Sequence, residues 1–184
     1  TVSGSVSAGS WAGNLAVSDG DVSINGELTA SQSGAGVNAF AAGSGAGQTD
    51  QSAYATAVGK SAGKTSQGDY AVAVGSAAGN NTQGINAVAV GVDAGQTDQG
   101  TRAVAVGANA GKTDQGANAV AVGQAAGYDS QGNYAVGVGV QAGETTQGAS
   151  AVAVGRLAGN ATQGDYAVAV GLNAGQTTQG DNAV

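Results

Sequence analysis

Two stretches of the chain carry the residues of a phosphate-binding loop: Gly59-Lys60-Ser61-Ala62-Gly63-Lys64-Thr65 and Gly107-Ala108-Asn109-Ala110-Gly111-Lys112-Thr113. Such a loop wraps backbone N–H groups around a phosphate and needs four residues between its glycines. Both stretches have three, and the same places elsewhere read Gly-Gln-Thr (Gly95 to Thr97) or Gly-Glu-Thr (Gly143 to Thr145), so a lysine is dispensable there. Asp50, Asp98, Asp114 and Asp129 raise calcium, but a calcium β-roll requires aspartate in nearly every repeat, and here threonine or serine takes the place as often. The sequence has neither His nor Cys, so transition-metal sites lack their usual ligands and no imidazole is present to activate a serine. No catalytic residue, metal ligand or cofactor is expected.

Two columns of side chains remain. Gln51, Gln67, Gln83, Gln99, Gln115, Gln131, Gln147, Gln163 and Gln179 recur every 16 residues without exception. Stacked amides hydrogen-bond from one repeat to the next, donor to acceptor. We expect this ladder to be buried and structural, not a ligand site. Tyr54, Tyr70, Tyr134 and Tyr166 share a second column with Asn86, Arg102, Asn118 and Asn182. A partly exposed loop suits that mixture, with a sugar-binding row as the functional alternative.

Both columns belong to a repeat that starts at Ala39 and runs through residue 182 as nine copies of A-V-A-V-G-x-x-A-G-x-[TND]-x-Q-G-x-x. Sixteen residues are too few for a helix-pair repeat, and three glycines per copy would each cost a helix about 1 kcal/mol. Ala-Val-Ala-Val closed by glycine reads as a short strand. Successive coils stack such strands in parallel at about 4.8 Å, giving a rod roughly 43 Å long. The fold class is therefore all-β, a parallel β-solenoid of nine 16-residue coils.

Side chains alternate across the strand, so its two valines face one way and its two alanines the other. Both faces are apolar, and a strand apolar on both faces is buried on both. The expectation is that Val72 and Val74 fill the coil with the eighth-position alanine, leaving the small Ala face for another chain or for water. The sixth and tenth positions vary freely (Lys60, Val92, Arg156; Lys64, Tyr128, Glu144) and read as solvent-facing. The first coil carries Phe40 where valine is usual. Terminal repeats are commonly atypical, and Phe40 is expected to plug the open end. Residues 1–38 lack the repeat and alternate polar with apolar residues, as in Asp21-Val22-Ser23-Ile24, so they form a separate short β segment with Trp11 in its core. The domains are thus 1–38 and 39–184.

Composition agrees with a thin, repetitive fold. There are 35 glycines and no proline, and the 41% hydrophobic content is mostly Ala and Val. The net charge of −7 and the scattered Lys60, Lys64, Arg102, Lys112 and Arg156 leave no basic stripe for nucleic acid. Apolar runs of four or five residues are far too short to span a membrane as a helix. A start at Thr1 and a stop two residues into a new repeat lead us to expect a piece of a longer chain.

The A-V-A-V-G-x-x-A-G units of residues 39–184 resemble the head repeats of YadA-like trimeric autotransporter adhesins. With Gln-Gly before each strand, they are also similar to repeats in tail-fibre proteins of phages and large viruses. That resemblance implies a left-handed β-roll, a homotrimer, a place on a virion or cell surface, and a role in host attachment through a glycan or protein. The competing expectations are a subunit of a self-assembling extracellular filament, joined through the open edge of an unfinished coil, and an ice- or glycan-binding solenoid. The last is weakened by Asn81, Asp129 and Ala161, which interrupt the threonine row.

Overall fold

A computed structural model describes residues 36–184; the expectations for the N-terminal β segment and for Trp11 fall outside them. The described residues form a β-solenoid of nine coils, with two strands per coil and no helix. One sheet stacks nine strands from Phe40–Ala42 to Val168–Val170, and the other stacks nine from Thr49–Gln51 to Thr178–Gln179. All pairing is parallel with a shift of one repeat, so Val72 pairs Val88, Val88 pairs Val104, and Gln115 pairs Gln131. Identical residues therefore lie above one another along the rod.

Two four-residue turns close each coil. In the first, Ala78 N–H donates to Gly75 O at 3.4 Å, with Ala77 at φ +53°; in the second, Ala71 N–H donates to Gly68 O at 3.1 Å, with Tyr70 at φ +58°. Each thus has a left-handed third residue, as in a type II turn. Glycine at the fifth position, such as Gly75 at φ +134°, cannot be replaced, because a Cβ there would stand 2.4 Å from the Gly91 carbonyl oxygen of the next coil.

The faces are the reverse of the sequence expectation. Alanines at the first, third and eighth positions point inward and are fully buried, as at Ala71, Ala73 and Ala78, whereas Val72 and Val74 point outward and are half-buried. The reason is the width of the coil: the buried glutamine of the opposite sheet occupies the interior, and only methyl groups fit beside it. Phe40 follows the same rule. It lies in register with Thr56 at the head of the outward column, half-buried, and the residue that packs against the core is Ala41. Phe40 thus does not plug the end of the stack. The alanine core runs from Ala46 to Ala126 and resumes at Ala142, the break falling at Gly137, which lacks the methyl carried by its neighbours in that column.

Candidate functional site

The glutamine column is the most strictly built feature of the chain. Gln51 to Gln163 are at most 2% exposed. Gln115 is representative. Its Nε2 donates to Gln131 Oε1 at 3.0 Å and, across the core, to the Val104 carbonyl at 2.9 Å, while its Oε1 accepts from Gln99 Nε2 at 3.1 Å. Each interior amide is thus satisfied on both N–H groups and on its oxygen, and each ties three coils together. The glycine at the ninth position makes room for it. A Cβ on Gly111 (φ +50°) would meet Gln115 Oε1 and Cδ at 2.7 Å. Apart from Gln51 Oε1 at the head of the column, which has no partner among the described residues, these amides are engaged within the protein.

The lysine-bearing loops are engaged in the same way. Gly107, Asn109, Gly111 and Thr113 donate their N–H groups to Val90, Val92, Ala126 and Tyr128 carbonyls at 2.8–3.0 Å. Gly59, Ser61, Gly63 and Thr65 do the same with Ala42, Ser44, Ala78 and Asn80. Alternate N–H groups of each run are thus tied into the neighbouring coils and do not converge on a common point as a phosphate cradle requires. Lys112 lies beside Asp93 at 3.5 Å, donates to Asn109 Oδ1 at 3.2 Å and sits 5.4 Å from the Tyr128 ring centroid. It fastens the corner of the coil. Asp98 and Asp114 adjoin in one exposed column, and among the described residues no three His, Cys, Asp or Glu side chains gather as a metal site would require.

Two outward surfaces remain. The first is the Val stripe of the sheet containing Val72–Val74, two side chains wide and complete over the seven strands from Val72–Val74 to Val168–Val170, about 29 Å at the parallel-strand spacing. The second is the corner column holding Tyr54, Tyr70, Tyr134 and Tyr166, which are 48–64% exposed with φ +58° to +60°. Tyr54 and Tyr70, on adjacent coils, stack with centroids 4.9 Å apart and planes 3° from parallel. The residue before the tyrosine has a role that sequence reading missed. Asp69, Asn133 and Asp165 each accept, through Oδ1, the N–H of the residue one coil earlier: Ala53 at 3.1 Å, Ala117 at 2.8 Å and Ala149 at 2.7 Å. The recurrence of Gly-Asp-Tyr and Gly-Asn-Tyr was the available signal. No family model, curated protein or solved structure matches this chain.

Proposed function

We propose that this chain is a structural segment of a surface fibre, a rod that spaces and presents attachment sites and associates as a homotrimer through its Val stripe. The observation that carries the reading is the outward Val face. A parallel sheet is ordinarily covered on both faces, and this one has only its alanine side covered within the chain. Two columns of valine, complete in seven of the nine coils, make a contiguous apolar surface of the kind that marks an interface. The sequence's reason for association survives, with the faces exchanged: valine, not alanine, meets the neighbouring chain. Three copies, a virion or cell-surface location and attachment are what the likeness to adhesin heads and tail fibres supplies. Every strictly repeated residue serves the stack, which suits a spacer whose chemistry is its length and regularity.

Sedimentation equilibrium tests the assembly. The expected mass is three times the 17.1 kDa of one chain. Val88→Asp with Val104→Asp, both on the outward column, should release chains that keep their β-sheet circular dichroism. A wild-type chain that sediments as a folded monomer would refute the proposal, and an open-ended series of masses would favour a filament.

A further inference from the structure

At Tyr134 and Tyr166, which have no aromatic neighbour on an adjacent coil, the tyrosine corner is conformationally expensive and, for stability alone, unrewarded. Its left-handed turn suits asparagine, which tolerates φ > 0 and occupies the place at Asn86, Asn118 and Asn182. Tyr134 and Tyr166 adopt the same conformation with rings 64% and 63% exposed. Bulky side chains held in a strained backbone yet left in solvent point to a role in what they present.

We infer that Tyr134, Ser150 and Tyr166 form a binding slot for one pyranose ring of a neutral glycan. The three occupy the corner column on successive coils. Tyr54 and Tyr70 show the disposition that tyrosines take in that column, parallel rings stacked along the rod. Between Tyr134 and Tyr166 the intervening residue is the small Ser150 (φ +57°), so two rings so disposed stand two coils apart, about 10 Å. A flat ring held between two aromatic faces needs about 7–8 Å at carbon contact distances of about 3.5–4.0 Å. A puckered sugar ring needs somewhat more, and the gap supplies it. Ser150, half-buried, is the residue between them in the column. Asn133 and Asp165, both exposed, bind the preceding coil through Oδ1, leaving Asn133 Nδ2 as donor and Asp165 Oδ2 as acceptor for sugar hydroxyls. The carboxylate and the chain's net charge of −7 select against sulfated or carboxylated sugars. Tyr54 and Tyr70 cover one another's facing sides and make no such gap.

This slot deepens the presenting role proposed above, but it lies within one chain. A chain that sediments as a monomer and still binds sugar would sink the trimer and leave the slot standing. The test is equilibrium binding of the 184-residue chain to three probes: a neutral hexose hexasaccharide, an N-acetylhexosamine hexasaccharide and a sulfated hexasaccharide. At least one neutral probe should bind and the sulfated one should not. Tyr134→Asn and Tyr166→Asn install the residue that other coils use at this turn, so folding should hold while binding falls on the order of tenfold or more. Ser150→Tyr should fill the gap with a third stacked ring, abolishing binding with the melting temperature unchanged or raised. Failure of both neutral probes at millimolar concentration, equal binding of the sulfated probe, or full binding by Ser150→Tyr would each overturn the assignment.

Discussion

Replacing Gln115 by leucine removes a side chain of similar length from the middle of the ladder and leaves its partners behind. Gln99 loses the acceptor it holds at 3.1 Å, Gln131 Oε1 loses a donor at 3.0 Å, and the Val104 carbonyl loses one at 2.9 Å. Neither glutamine gains water in exchange, because both are only 2% exposed. An orphaned buried polar group costs about 1–3 kcal/mol, and burying the leucine returns about 2 kcal/mol. The net loss expected is about 3 kcal/mol. It should be local, since each coil touches only its neighbours, and a single global unfolding energy is poorly defined for such an array. The assay is therefore native-state hydrogen exchange alongside urea unfolding. Amides of the coils bearing Gln99, Gln115 and Gln131 should lose protection while those near Gln51 keep theirs. The comparator is Gln179→Leu. That residue is only partly buried and donates to Val168 O at 2.8 Å, so water can replace what it loses. Equal effects from the two substitutions would refute the reasoning, because burial of unsatisfied amides could not then be the source of the cost.

Gly111→Ala should destabilise by about 2–3 kcal/mol in a urea series, since the methyl combines a φ of +50° with a 2.7 Å approach to the fixed Gln115 amide; an unchanged midpoint would mean the ladder is mobile. Gln115→Glu buries a carboxyl facing the acceptors Gln131 Oε1 and Val104 O, which raises its folded-state pKa above the unfolded value. A raised folded pKa gives stability that is full below the unfolded pKa and lost as pH rises through the folded one, so this variant should be more stable near pH 3.5 than near pH 8 relative to wild type, and a flat or reversed difference in thermal melts would contradict the burial. Deleting residues 87–118 removes two whole coils and should shorten the rod by about 10 Å with circular dichroism unchanged, as read by small-angle scattering; loss of the fold would show that coils depend on more than their neighbours.

The repeat, its period and its strands were legible because they rest on backbone requirements that only particular residues meet. The direction of the faces was also written in the sequence, though in a different signal from size. The outward column accepts Phe40 and Thr56 as well as valine, while the inward column accepts only alanine and, once, Gly137. A column that tolerates any bulk is open, and one that tolerates none is confined. Filling the coil with the larger residue overlooked the space that the glutamine takes. The bond from Gln115 to the Val104 carbonyl crosses between sheets, and no pattern along the chain announces it. The Asp69 and Asp165 contacts to the preceding coil were hidden for a similar reason: their partners are backbone groups, which have no residue type to recognise.

The ladder also has a sense of direction. Each amide donates to the residue sixteen places later, Gln51 to Gln67, Gln67 to Gln83, and so on to Gln179. During synthesis, a completed coil therefore presents an N–H aimed along the axis at the place where the next glutamine will arrive. A completed coil thus has the geometry to template its successor, which makes stacking in the order of translation compatible with the ladder. A coil docked upside down would set two amide donors head to head, so the column of hydrogen bonds rejects a misoriented addition at the moment it is made.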